Sequence, residues 1–180
     1  GHELAANPKV GMVSLTGSVS AGQQTMAAAA PNITKVSLEL GGKAPAIVME
    51  DADIDLAVKS IIASRVINTG QVCNCAERVY VDKAIKETFM EKLVAGMKLV
   101  KVGNPNEVAD LDMGPLIEAS ALESMEKKVE RAIQQGARLL CGGHRIGTKG
   151  YFFEPTVLDC VTQKMDIIQE AVSYTHLTLP

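Results

Sequence analysis

The order of apolar runs and glycine breaks in the first 42 residues restricts the fold more than any other feature of this sequence. Residues 10–15 form a short apolar run that ends at Thr16-Gly17-Ser18, and residues 21–30 are rich in helix formers. Pro31 and Asn32 stop that helix, and Val36-Ser37-Leu38-Glu39-Leu40 alternates apolar and polar residues at the strand period before the Gly41-Gly42 break. A strand, a tight turn, a helix and a second strand in so short a span make a βαβ unit, whose strands run parallel because the helix carries the chain back. The expected class is α/β, with this unit the last of a larger parallel sheet.

After Lys43 the pattern restarts. Residues 46–49 read as a strand, Asp51 and Asp53 as caps on a helix over 54–68, and residues 78–81 as another strand. An amphipathic helix over 85–100 carries Phe89, Leu93, Met97 and Val100 on one face and closes at Gly103-Asn104-Pro105. A more highly charged helix spans 120–135, ends at Gly136, and is followed by strands over 138–141 and 153–158. The ends differ from the rest: Gly1 runs at once into mid-domain sequence, and residues 171–180 form a Ser/Thr-containing tail unlike anything before it. The expected organisation is a piece of a longer protein: residues 1–42 from one domain, 43–170 from a second, and 171–180 a non-native linker set aside from the fold.

Composition removes several classes of function. The chain has 180 residues, 47% hydrophobic and 22% charged, which is enough to bury a core. Its net charge of -3 is interspersed, with no basic stripe and only 3% aromatic residues, so nucleic acid is not an expected partner. The apolar stretches, such as residues 44–49, fall far short of the roughly 20 residues that span a bilayer, so no membrane is expected and the reading is cytoplasmic. Four cysteines in apolar segments read as reduced thiols.

Three segments hold residues suited to chemistry. Gly17, Ser18 and Gly22 lie between a predicted strand and helix, where free backbone N–H groups and the helix dipole can hold a phosphate; a plain structural turn is the alternative. Glu39 ends a predicted strand before two glycines, where α/β sheets place ligands, although a surface acid at a strand end fits the same pattern. Cys73 stands in Gly70-Gln71-Val72-Cys73, with Asn74 and Arg78 close by. A thiolate there would be a nucleophile, and a small buried hydrophobe is the alternative, adopted for Cys75, Cys141 and Cys160. No metal site is expected: Cys73 and Cys75 have no second pair at ligand spacing, and His2, His144 and His176 are scattered.

Taken in order, these segments resemble the NAD(P)-dependent aldehyde dehydrogenase superfamily. Residues 15–22, Leu-Thr-Gly-Ser-Val-Ser-Ala-Gly, are similar to the family's glycine turn; Leu-Glu-Leu-Gly-Gly-Lys at 38–43 is its glutamate signature; and residues 70–73 are its cysteine signature. Glu39 precedes Cys73 by 34 positions, which fits the family, and residues 102–105, 114–117 and 150–158 continue the likeness. The resemblance implies that residues 1–42 end a Rossmann-like cofactor domain and that 43–170 begin the α/β catalytic domain. It implies Cys73 as the nucleophile, with its backbone N–H an oxyanion donor, and Glu39 as the base for the hydrolytic water. It also implies Gly17, Ser18 and Gly22 near the cofactor pyrophosphate, and Leu40 near the nicotinamide. The implied cofactor is NAD or NADP, the substrate a small-molecule aldehyde, and the parent enzyme a homo-oligomer, dimer or tetramer. The segment 69–81 most resembles the bacterial lactaldehyde and glycolaldehyde branch. The alternatives are a coenzyme-A-acylating semialdehyde dehydrogenase, in which the glutamate is commonly replaced, and a non-catalytic truncated product.

Two departures accompany the likeness. The family segment Glu-Glu-Ile-Phe-Gly-Pro is replaced after Gln169 by Glu170-Ala171-Val172-Ser173-Tyr174. The asparagine that supplies the second oxyanion donor and the lysine at the adenine ribose both lie, in the family, upstream of the segment this sequence matches. The expectation is that this polypeptide alone does not oxidise aldehydes.

Overall fold

A computed structural model of the chain describes residues 1–169 and 176–178. It divides into two compact units, Gly1–Gly42 and Lys43–Pro180.

The first unit holds helix α1 (His2–Ala6), strand β1 (Met12–Gly17), helix α2 (Val19–Ala29), a 3-10 turn (Ala30–Asn32) and strand β2 (Lys35–Leu40). β1 and β2 pair in parallel from Met12 beside Lys35 to Gly17 beside Leu40. The predicted βαβ unit is what forms. Ser18 caps α2, its hydroxyl oxygen accepting from the Ala21 N–H at 3.1 Å. Pro31 leads into a left-handed Ile33 (φ 53°), and Thr34 and Asn32 tie the exit of the turn to the Val10 and Ala6 carbonyls. The helix lies close on the sheet because Gly22 is buried and has no side chain: a Cβ there would meet Leu40 Cδ2 at 2.9 Å and Leu38 Cδ1 at 3.5 Å.

The second unit is built on a five-stranded sheet in the order β3-β4-β7-β6-β5. Its elements are β3 (Pro45–Val48), α3 (Ile54–Val66), β4 (Arg78–Val81), α4 (Lys86–Lys98), α5 (Ala119–Gln134), β5 (Arg138–Cys141), β6 (Thr156–Asp159), the short helix α6 (Asp166–Gln169) and β7 (His176–Thr178). β3, β4, β7 and β6 are parallel, and β5 closes the edge antiparallel to β6. α3 and α4 press Val58, Ile61, Phe89, Leu93 and Met97 onto Val48, Val79 and Val157. Each such large side chain contributes roughly 1.5–3 kcal/mol on full burial. α5 buries Leu122, Met125 and Val129 with Leu116 and Phe153.

Two expectations are corrected. The helix after Asp53, capped by its side chain accepting from the Leu56 N–H at 3.0 Å, stops at Val66, where the chain enters a 3-10 turn (Ile67–Gly70) with left-handed Asn68 and Thr69. The strand expected over 153–158 is only Thr156–Asp159, with an isolated bridge from Phe153 to Arg145; Pro155, lacking an N–H, interrupts the ladder. Within residues 171–180, expected to be a linker, His176–Thr178 forms β7, seated between β4 and β6. Strand pairing is made by backbone groups, so two strand edges recruit a short extended segment whatever its origin.

Candidate active site

Cys73 is presented by a turn that the sequence builds in three steps. α3 ends at Val66, and then Asn68 (φ 47°), Thr69 (φ 57°) and Gly70 (φ 72°) are successively left-handed. Only glycine takes this region freely, so Asn68 and Thr69 hold strain of roughly 1–3 kcal/mol each. Hydrogen bonds over-determine the bend. Gln71 donates from its N–H and its side-chain amide to the Asn68 carbonyl, at 3.1 and 3.2 Å, and its Oε1 accepts from the Ile117 N–H at 3.0 Å. The Thr69 hydroxyl donates to the Gly114 carbonyl at 3.2 Å. The Cys75 N–H then donates to the Val72 carbonyl at 3.2 Å, closing a β-turn with Cys73 and Asn74 at its head, and the Ala76 N–H reaches Ser64 Oγ at 3.1 Å. Cys73 is thereby exposed, while Cys75 is 2% exposed.

Charged groups are buried along the same stretch of chain. Arg65 is 0% exposed and donates from Nη2 to the Gly70 carbonyl at 3.3 Å, while its Nη1 stands 3.5 Å from Glu77 Oε1. Lys43 Nζ is 3.5 Å from the other Glu77 oxygen. Burial pushes the Lys43 ammonium down to about 8 against the pull of Glu77. Burial likewise lowers the Arg65 guanidinium and raises the Cys75 thiol, with Glu77 opposing the first and Arg65 the second. Arg78, expected as a polar neighbour of Cys73, instead donates from Nε to the Lys43 carbonyl at 2.8 Å.

In the first unit, strand register brings four of the expected residues to one sheet end. Thr16 lies beside Glu39 and Gly17 beside Leu40, at the carboxyl ends of two parallel strands. Ser18 begins α2 there, and its hydroxyl is engaged in capping. Glu39 is exposed. Gly22 is one turn into the helix and buried on Leu40, so its visible work is close helix–strand packing.

Of the cysteines read as buried hydrophobes, Cys75 is buried, Cys141 is half-buried and Cys160 is exposed. Cys160 sits at the end of β6 with φ 58°, which turns its thiol outward to donate to Asp159 Oδ2 at 3.6 Å. No cluster of His, Cys, Asp or Glu suited to a metal occurs among the described residues, nor does a helix long and apolar enough to cross a membrane. The grooves flanking α4, of about 440 Å³ over Met90, Val94 and Leu140 and about 590 Å³ over Val58, Ile62 and Leu99, do not include Cys73. Residues 170–174, where the sequence departs from the family segment, lie outside the described residues.

Sequence reasoning missed Arg65, Thr69, Gln71 and Glu77. A signal for one was present: Val58, Ile61 and Arg65 share the helical spacing of a buried face, so a guanidinium stands where an apolar residue belongs.

Comparison with known proteins places this geometry. The chain is 62% identical over 170 residues to lactaldehyde dehydrogenase of Escherichia coli K12, a match that covers 94% of this chain and 36% of that protein. It is 44% identical to 3,6-anhydro-alpha-L-galactose dehydrogenase of Vibrio sp. EJY3, again over 94% of this chain and 36% of the relative. It superposes on crystalline Escherichia coli lactaldehyde dehydrogenase with a TM-score of 0.97 at 59% identity, covering 99% of this chain and 37% of that one. On betaine aldehyde dehydrogenase of Staphylococcus aureus, solved with NAD+, the TM-score is 0.94 at 36% identity, covering 99% of this chain and 36% of that one. The chain thus spans about a third of the length of these relatives. The profile of the aldehyde dehydrogenase family matches residues 1–172, and the chain belongs to that family.

Proposed function

We propose that this chain carries the nucleophile and the hydrolytic base of an NAD(P)-dependent aldehyde dehydrogenase acting on a short hydroxyaldehyde such as lactaldehyde or glycolaldehyde. The observation that carries the reading is the turn of residues 72–75, which lifts Cys73 into solvent and sinks Cys75 into the core. A thiol held at the head of a hydrogen-bonded turn is accessible to a carbonyl carbon, and its own backbone N–H would be one donor to the developing oxyanion. Cys73 as thiolate adds to the aldehyde carbon to give a thiohemiacetal. A bound dinucleotide would supply the hydride acceptor for that carbon, which would leave Cys73 carrying the acyl group as a thioester. Glu39 takes a proton from water, the hydroxide adds to the thioester carbonyl, and the thiolate leaves with release of the carboxylic acid. General-base help of this kind is worth about 10²–10⁴-fold. The residues at the amino end of α2, Gly17 and Ser18, suit a pyrophosphate: first-turn amides and the positive end of the helix dipole meet there, and Gly22 lets the helix sit close to the strand.

The substrate class rests on the 62% identity to the Escherichia coli enzyme. Glu39 separates this reading from the acyl-transferring one, in which a thiol rather than water receives the acyl group.

The test is a chimera in which residues 1–169 replace the matching third of Escherichia coli lactaldehyde dehydrogenase. It should release NADH from lactaldehyde and NAD+, with Cys73→Ala abolishing turnover. Glu39→Gln should give a single burst of NADH and then stall; undiminished steady turnover would remove Glu39 from the mechanism. The 180-residue chain by itself should release none.

A further inference from the structure

We infer that Arg65 is a positioning residue for the nucleophile: its buried guanidinium, held by Glu77, fixes the Gly70 carbonyl and with it the left-handed segment that sets Cys73 in place. The inference rests on Cys73 being the nucleophile.

Arg65 occupies a core position of α3, in line with Val58 and Ile61, and is 0% exposed. An apolar side chain of similar length would fill that position without desolvating a charge, and buried ion pairs gain little over such a replacement. The pair is moreover imperfect as a source of stability. It stands at 3.5 Å, and Nε and Nη1 of Arg65 have no hydrogen-bond partner among the described residues. What the guanidinium does make is one directed bond, from Nη2 to the carbonyl of Gly70, the last of the three left-handed residues and three positions before Cys73. Its ionic partner, Glu77, lies two positions after Cys75. The pair therefore grips the turn from both flanks, before Gln71 and after Ala76. A planar guanidinium has fixed donor directions, which a hydrophobic contact lacks, so it sets the angle at which the strained segment leaves α3. The Thr69–Gly114 and Gln71–Ile117 bonds hold the opposite side of the bend. With Arg65 absent, the left-handed conformation of Asn68 and Thr69 loses the contact that anchors its end.

The experiment uses the chimera described above, with active sites counted by stoichiometric alkylation of the Cys73 peptide. In Arg65→Met, kcat per titrated site should fall about 100-fold, the scale expected for a misplacement of about 1 Å, with KM for the aldehyde unchanged. Arg65→Lys, which keeps the charge but not the fork, should show a smaller fall of the same kind. A purely structural role would lower the melting temperature and the number of titratable sites and leave kcat per site intact; that result overturns the inference. If Arg65→Met does not fold, Arg65→Lys decides the matter by the same criterion: undiminished kcat per site overturns the inference, and a fall at constant KM supports it. Cys73→Ala separates the two claims. Turnover that survives it overturns the nucleophile assignment, whereas its loss alongside undiminished kcat per site in Arg65→Met overturns only the positioning role.

Discussion

The hydroxyl of Thr69 donates to the carbonyl of Gly114 at 3.2 Å, joining residues 45 apart in sequence and fastening the bend before Cys73 to the loop that precedes α5. Thr69→Val keeps the branched shape and the strained backbone but removes the donor, leaving the Gly114 carbonyl without that bond. The variant should lose about 1 kcal/mol of stability, seen in urea as a lower midpoint at constant slope. An unchanged midpoint would mean that the loop is held without this bond.

The contrast between the two neighbouring thiols is directly measurable. Iodoacetamide under native conditions should label Cys73, which is exposed, and spare Cys75, which is buried and whose thiol is pushed up by that burial. Peptide-resolved mass spectrometry reads both at once, and urea should make Cys75 react. Equal native labelling of the two would contradict the turn geometry.

Lys43 makes stability depend on pH in a defined window. Its ammonium is lowered from 10.5 to about 8 by burial, so between these values the unfolded chain binds the extra proton and the folded chain does not. Stability therefore rises with pH from about 8 to about 10.5, by a few kcal/mol at most. Below about 8 the buried charge is present and its desolvation counts against the fold. Lys43→Met removes the titration, and the difference between wild-type and variant unfolding free energies, followed from pH 7 to pH 10.5, should show this rise in the wild type alone. A flat difference would show that Lys43 titrates normally.

Gly22 and Leu40 should behave as a coupled pair. Gly22→Val drives a side chain into Leu40 Cδ2, at 2.9 Å from the first added carbon, and should destabilise by roughly 1–3 kcal/mol. Leu40→Ala opens the space, so the double variant should be more stable than the sum of the single losses predicts. Strict additivity in a double-mutant cycle would show that α2 does not rest on Leu40.

Much of this was legible in the sequence, for reasons that differ by element. β4 and β5 were read at their observed limits because short apolar runs flanked by breaks leave few other options, and the βαβ unit followed from glycine punctuation around a helical run. The end of α3 was less accessible: nothing local shows that Asn68 and Thr69 turn left-handed, since their strain is offset by Gly114 and Ile117, far along the chain. Arg65 was overlooked for a related reason. A basic residue in a helix reads as solvent-facing until its position on the face of Val58 and Ile61 is weighed above its charge. β7 escaped because pairing by backbone groups leaves little trace in three side chains.

The bonds that shape the Cys73 bend run to Ser64, Arg65, Gly114 and Ile117, partners within a single stretch of the chain and outside the β1–α2–β2 unit. The geometry of the Cys73 bend is thus set within residues 64–117 and is inherited as a block. A change in a segment that makes none of these bonds leaves the exposure of the Cys73 thiol undisturbed.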